Sequence, residues 1–317
     1  MINIVNILGI NDQDQVIVKH NGGSMNRMEL TITGNSTLLE QADTSEFKVM
    51  TLILGGATTQ ISLKFPEDAV WFNSISSADG NRKSLEMLAG LLKRTPRPII
   101  NHPGKVLQTT REETVRVLSG IDGVKVPECL KLTPRSISEV KSFIAEKSIS
   151  FPFLFRPAVD HGKNSLLKID STDELSKLEH FAFDGEKSYH IIEFIDFASA
   201  DGLYRKMRFL VIGEKVIPRH LMISSSWQIH SDKGETSSEE IAFLSRIEPS
   251  IARRCLEIRE AFGLDYIGID CSIDAEGNLL IFEANAHSMI GNGKNGKHHK
   301  KIIEDIEQAV IGLVSLM

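Results

Sequence analysis

Residues 266 to 285 of this 317-residue sequence read YIGIDCSIDAEGNLLIFEAN, two apolar runs on either side of an Asp/Ala/Glu/Gly/Asn stretch. Alternating apolar residues closed by turn-forming types predict a β-hairpin. Side chains alternate between the faces of a strand, so Glu283 and Asn285, two apart, share one face. With the loop at Ala275 to Asn278, Asp270 stands directly opposite Glu283, and two acids face each other across the ribbon.

Opposed like charges on neighbouring strands are destabilising, and a carboxylate inside a run such as LLIFE is costly unless something compensates. A divalent cation is one compensation. Asp, Glu and Asn supply hard oxygen ligands that suit magnesium, which takes a few carboxylates together with phosphate oxygens. The other is a carboxylate bonded to loop amides or paired with an arginine. The bare hairpin leaves both open.

The rest of the sequence narrows the field. Lys and Arg number 36 against 42 Asp and Glu, a net charge of -6, and no basic tract runs along the chain, so no nucleic-acid partner is expected. At 41% hydrophobic the chain can bury a substantial core, spread over two or three domains. Cys129, Cys255 and Cys271 are odd in number and widely spaced, which fits buried thiols in a reducing compartment better than disulfides or zinc. The N-terminal apolar run is too short for a signal segment or a membrane span, so the sequence reads as cytoplasmic, away from membranes.

In the first third, short apolar runs at Ile2 to Leu8, Val49 to Leu54, Ala69 to Phe72 and Ile99 to Ile100, with a helix over Arg82 to Leu92, have the rhythm of a small α/β domain. Capping boxes at Thr110/Glu113, Ser136/Glu139 and Ser171/Glu174 start three helices. Strands are expected over Phe151 to Arg156, Tyr189 to Phe197, Lys206 to Ile212 and Lys215 to Met222. Ile251, Cys255, Ile258 and Phe262 recur at helical spacing before Gly263, so 250 to 262 is a core-facing helix. The fold class is α+β.

The segment GLDYIGIDCSIDAEGNLLIFEANA resembles the C-terminal metal motif of ATP-grasp enzymes, in residue types and in spacing. That resemblance implies an ATP-grasp fold, two α+β subdomains clasping ATP, preceded by a small α/β Rossmann-like domain. The division expected is 1–104, then a lid subdomain over 105–190, then 191–317 with the metal site. Asp270, Glu283 and Asn285 would hold two Mg2+ ions against the phosphates of ATP.

Further parts of the resemblance lie upstream in order. Arg111 and Arg156 stand where the family carries phosphate-binding cations, usually lysines, and DHGKNS around His161 and Gly162 stands at a glycine-rich loop of which only Gly162 remains. Glu193, Phe194 and Ile195 match the hinge strand that pairs with adenine, and Asp201 an acid for ribose hydroxyls. Arg208 and Arg219 lie on paired strands that carry an arginine toward the transferred phosphate, and Asn101 resembles the asparagine that opens the ATP-binding region. Within the superfamily the likeness is to RimK-type and glutathione-synthetase-like ligases and to TPR-associated ATP-grasp proteins. It implies attack of a substrate carboxylate on ATP, an acyl phosphate, and displacement by an amine or peptide acceptor. Trp227, Gln228 and His230 follow the cationic strands on a loop placed to line the acceptor pocket, with His230 to take the amine's proton; for Trp227 loop packing is the favoured reading.

Gly291 to Lys297 has the G-x4-G-K spacing of a P-loop, but His298 stands where Ser or Thr is needed and no strand follows to build the sheet. It reads better as a mobile polar loop, or as a substrate-side loop where Lys294 meets an anionic group. Two rival functions share the ATP residues: an ATP-grasp kinase acting on a hydroxyl, and a non-catalytic nucleotide-binding module. The oligomeric state, a homo-oligomer included, stays open.

Overall fold

The computed structural model describes residues 1–21, 27–41, 44–56, 64–159, 165–229, 237–287 and 297–317. β1 (Ile2–Gly9) is the inner strand of a parallel sheet, and its Ile4, Val5 and Ile7 are all fully buried, as a strand covered on both faces requires. β2 (Ile17–Asn21) and β3 (Arg27–Thr31) form a separate antiparallel pair that the sequence pattern did not announce. β4 (Phe47–Leu54) and β5 (Val70–Asn73) flank β1, and after α1 (Arg82–Arg94) the two-residue β6 (Ile99–Ile100) completes the order β4-β1-β5-β6. Leu85, Leu88 and Leu92 turn one face of α1 into the core.

α2 (Pro103–Val106) and α3 (Arg111–Leu118) lead out of this unit. Thr110 caps α3 by accepting from the Glu113 N–H at 3.3 Å, as its capping box predicts. β7 (Val124–Lys125) then pairs with a strand some 150 residues away in sequence, adding to the far sheet.

β8 (Cys129–Leu132), α4 (Ile137–Glu146), β9 (Phe153–Pro157), β10 (Leu167–Ile169) and β11 (Tyr189–Glu193) make an antiparallel sheet ordered β10-β9-β11-β8. One face packs Phe153, Phe155, Tyr189 and Ile191 against Val140 and Ile144 of α4, a core of its own. Register places Lys131, His190 and Arg156 side by side across β8, β11 and β9 on the other face. The Ser136/Glu139 cap forms. The Ser171/Glu174 cap does not: residues Thr172–His180 coil as a 3-10 helix, Ser171 makes no side-chain cap, and Glu174 accepts from the Asp170 N–H instead. The expected boundary at 190 falls inside β11, which is bonded throughout to β8 and β9.

The third sheet, ordered β13-β12-β14-β15-β7, is built from β12 (Tyr204–Ile212), β13 (Lys215–Ser224), β14 (Tyr266–Ile273) and β15 (Leu279–Asn285), with α5 (Ser238–Ser245), α6 (Pro249–Phe262) and α7 (Lys297–Ser315) around it. α6 ends at Gly263 in the left-handed region, φ 63°, as the sequence indicates. Phe209, Val211, Ile267, Ile269 and Cys271 share a core with Ile251, Cys255, Ile258 and Phe262 of α6. On the opposite face Leu210 and Ile212 join Tyr266, α7 and Ile4 and Phe72 of the first sheet. Beyond Leu210 that face turns charged, with Arg208 and Lys206 two and four residues on.

The first and third sheets are tied further by Asn101. Its N–H donates to Asp265 Oδ2 (2.6 Å), its Oδ1 accepts from the N–H groups of Asp265 and Tyr266, and its Nδ2 donates to the Tyr266 carbonyl (3.0 Å). The side chain is fully buried and spent on backbone. Among the described residues no helix is long and apolar enough to cross a membrane.

Candidate active site

The hairpin of β14 and β15 places Asp270 opposite Glu283, the expected pairing, but by a different route. The loop spans five residues, 274 to 278, closed by Asp274 accepting from the N–H groups of Glu276 and Asn278 and by Gly277 at φ 81°. On its own that loop would set Asp270 against Phe282. A bulge between the Asp270–Glu283 and Cys271–Ile281 pairs absorbs Phe282 and restores the acid-to-acid pairing. Arg111 clamps the bulge: its Nη1 donates to the Phe282 carbonyl at 2.9 Å, and its Nη2 lies 3.5 Å from Glu283 Oε2.

Glu283 and Asn285 do share a face, joined by a 2.8 Å bond from Asn285 Nδ2 to Glu283 Oε1. Asn285 Oδ1 accepts from the His287 N–H (2.9 Å), and His287 Nδ1 hydrogen-bonds Ser76 Oγ (2.9 Å) of the N-terminal unit. Gly268, paired with Asn285, lies so near this chain that a Cβ on it would come within 2.6 Å of the His287 carbonyl oxygen.

Asp270 itself is held by two cations. Arg208 Nε and Nη2 donate to its two oxygens at 2.5 and 2.6 Å, and Lys206 Nζ lies 2.7 Å from Oδ2. Burial pushes the Asp270 pKa up, yet Lys206 and Arg208 overcome that and hold the carboxyl well below its ordinary range. Conversely, hydrogen bonding to Asp270 raises Arg208. Arginine pairing, one of the two compensations open to the hairpin, is therefore present here. The donor set nevertheless fits magnesium: three hard oxygen-bearing side chains meet on one face, and one of their two acids, Asp270, draws two cations to it.

Register carries the charge row one strand further, from Asp270 on β14 through Arg208 on β12 to His220 on β13. A second bulge inserts Arg219 as the extra residue between Pro218, opposite Phe209, and His220, opposite Arg208. Pro218 cannot donate to a ladder, and β13 is an edge strand, where such a residue is tolerated. Burial lowers the Arg219 pKa, and the charge of Arg208 lowers it further.

The remaining expected residues are dispersed around this row. Arg156 is buried on β9 beside His190. Glu193 ends β11 with its carboxylate accepting from the Glu128 N–H (3.1 Å). Phe194 follows the strand, edge-on to Trp227 (5.6 Å between centroids) with Lys168 Nζ 4.3 Å above its ring, and Ile195 continues the irregular chain. Gln228 Nε2 reaches the Leu166 carbonyl. Asp201 is engaged by Arg205, whose guanidinium bonds both its oxygens and lowers its pKa to about 2. His161, Gly162, His230 and Lys294 lie outside the described residues.

Sequence reasoning missed an ion network at the junction of the units. Glu112 of α3 meets His190 Nε2 (3.2 Å), and Lys131 Nζ lies 3.6 Å from Glu112 and 3.0 Å from Asp79. Burial raises Glu112, but the His190 bond, its own backbone and Lys131 bring its pKa to about 2. Asp79, Glu112 and His190 are close enough to ligate one ion, but the Lys131 ammonium already supplies a cation there. The pair of His220 and Glu240 was also missed. Local sequence carries no signal for such pairs, because their partners come from distant elements.

An antiparallel sheet with its own core, facing a second sheet that presents an acid-bearing hairpin, defines the ATP-grasp class of fold. The chain belongs to the RimK-like ATP-grasp family, whose domain model matches residues 122–306. Coenzyme gamma-F420-2:alpha-L-glutamate ligase of Methanococcus maripaludis is 27% identical over 173 residues, 55% of this chain and 56% of that protein, so the match spans little more than half of the curated relative. VanG D-Ala:D-Ser ligase from Enterococcus faecalis superposes with a TM-score of 0.60 at 14% identity, over 99% of each chain. The ATP-grasp ligase PsnB, complexed with a phosphomimetic precursor variant, Mg and ADP, superposes at 0.52 and 15% identity, over 98% of this chain and 99% of that one. At these identities the superpositions speak for the fold.

Proposed function

We propose that the chain is an ATP-dependent carboxylate–amine ligase that forms an amide or peptide bond through an acyl phosphate and releases ADP and phosphate. The observation that carries this reading is the convergence of Asp270, Glu283 and Asn285 on one face of the hairpin, beside a strand face lined with Lys206 and Arg208. Membership of the RimK-like family and the ligase named above support it.

Asp270, Glu283 and Asn285 would hold two Mg2+ ions, which supply charge neutralisation and polarisation of the phosphate oxygens. The chain's own groups do the rest. Arg111 fixes the bulge that aims Glu283. Arg156 reaches toward the phosphates from the lid sheet, while Arg208 and Arg219 offset charge on the transferring phosphoryl group and on the tetrahedral oxyanion. The backbone from Glu193 to Ile195 receives adenine under Trp227. Asp201 would have to share its carboxylate between Arg205 and ribose. His230 and the loop at His161 and Gly162 keep the roles expected from the sequence, proton acceptor and phosphate cover. Apart from the lid boundary, which lies beyond β11, the division into 1–104, 105–190 and 191–317 is kept, and the buried thiols accord with a cytoplasmic setting.

The test is ADP release over a panel of carboxylates, amino acids and short peptides, with L-glutamate first because the relative's name contains it. Amine-dependent release is expected, with more than ~100-fold loss in Asp270→Ala and Glu283→Ala. Wild-type turnover in Glu283→Ala overturns the metal assignment; ADP release without an amine, with a phosphorylated hydroxyl product, makes the chain a kinase; and no release under any condition leaves a nucleotide-binding module.

A further inference from the structure

Glu240 sits third in α5, where Ser237 caps the helix by accepting the Glu240 N–H at 3.0 Å. A glutamate at that position ordinarily lies at the surface and reaches back to the cap. Here its side chain turns into the protein, is 2% exposed, and hydrogen-bonds His220 Nδ1. A carboxylate taken out of water is costly unless cations compensate it. His220 hydrogen-bonds it, and Arg219, the bulged residue next to His220, is the cation that feels the Glu240 charge.

The bulge gives this pair its reach. Because Arg219 is the extra residue, His220 is brought level with Arg208, and the row across the sheet runs Glu283, Asp270, Arg208, His220, with Glu240 closing it from α5. Arg208 and Arg219 lie near enough for the charge of one to depress the other. Asp270 holds the first guanidinium from one side, and the helix acid attracts the second from the other. The bulge sets Arg219 next to the residue opposite Arg208, and two arginines so placed invite a third anion, for which a terminal phosphate has the charge and the oxygens.

We propose that Glu240, acting through His220, is a positioning residue that fixes the bulge of β13 and so presents Arg219 beside Arg208 to the terminal phosphate of the nucleotide. The proposal rests on the ligase reading for its ligand, but it concerns the triphosphate alone and no substrate. Glu240→Gln keeps the size and removes the charge. In calorimetry with Mg2+ present, this variant binds a non-hydrolysable ATP analogue about tenfold more weakly than wild type, while ADP affinity stays within about twofold. His220→Asn behaves alike. In the ADP-release assay kcat falls with a smaller change in the KM for ATP.

Unchanged analogue affinity in Glu240→Gln overturns the proposal. So does an equal loss for analogue and ADP, since that is what a merely structural pair would give. Wild type that binds both nucleotides yet never turns over sinks the ligase reading alone and leaves the comparison of analogue with ADP valid. Wild type that binds neither sinks both.

Discussion

Asp270 faces two cations in a nearly dry setting, its side chain 8% exposed, so removing its charge leaves Lys206 and Arg208 repelling each other. Asp270→Asn is expected to cost about 3 kcal/mol in denaturant unfolding, the low end for breaking a buried pair, because the Arg208 side chain is 39% exposed and keeps some water. A cost near zero would mean that the pair contributes nothing in solution. Glu112 gives a pH prediction. Its folded pKa, about 2 against an ordinary 4.5, is depressed. Its contribution to stability is therefore complete above about 4.5 and lost as pH falls from there toward 2. Urea midpoints measured between pH 5 and pH 2 should fall less steeply in Glu112→Gln than in wild type; identical slopes would exclude the His190 and Lys131 bonds as the cause. That Glu283 and Asn285 share a face was legible in sequence because strand parity is local and needs only spacing. Glu112 with His190 and Glu240 with His220 were not, since each acid looks like an ordinary first-turn helix residue until the sheet it packs against is known.

The acid hairpin owes its pairing to two departures that cancel, a loop one residue longer than expected and a bulge at Phe282. Turn residues announce a hairpin but not whether it closes over four or five residues, and a bulge leaves no mark in the alternation except one misplaced apolar residue. Phe282 is that residue: it falls where a strict alternation from Ile281 and Glu283 would put a facing side chain, and it packs instead on Phe197 at 4.8 Å. Short strands were equally silent, since β7 and β8 become strands only by pairing with β15 and β11. The closeness of Gly268 to the His287 carbonyl makes the hairpin's outer neighbour testable. Gly268→Ala forces that carbonyl away and with it the N–H that holds Asn285. The half-saturating Mg2+ concentration for ADP binding should rise about tenfold while the far-ultraviolet circular dichroism is kept. An unchanged Mg2+ requirement would detach Asn285 from the site.

At the scale of the molecule, the apolar cores do not follow the three-unit division read from sequence. Ile4 and Phe72 of the first sheet, Leu210 and Tyr266 of the third, and Ile306 and Val310 of α7 form one cluster, whereas the antiparallel sheet keeps Val140, Ile144, Phe155 and Ile191 to itself. Sequence periodicity shows which face of an element is apolar but not which element it meets, so the N-terminal unit could be recognised as α/β without its sharing a core with the far sheet. Elements that share a core open together, and a unit with a separate core can open alone. Ile144→Ala should therefore speed amide exchange in 153–157 and 189–193 and leave 2–9 and 266–273 at wild-type rates. Ile306→Ala, which removes a fully buried side chain at a cost of about 2–5 kcal/mol, should speed exchange in 2–9, 70–73, 204–212 and 266–273 together. If it released only the third sheet and left 2–9 protected, the shared core would not be cooperative, and the first sheet would be a separately folding domain. A lid that opened by itself on a fused two-sheet base would let a nucleotide reach the proposed site without disturbing the hairpin.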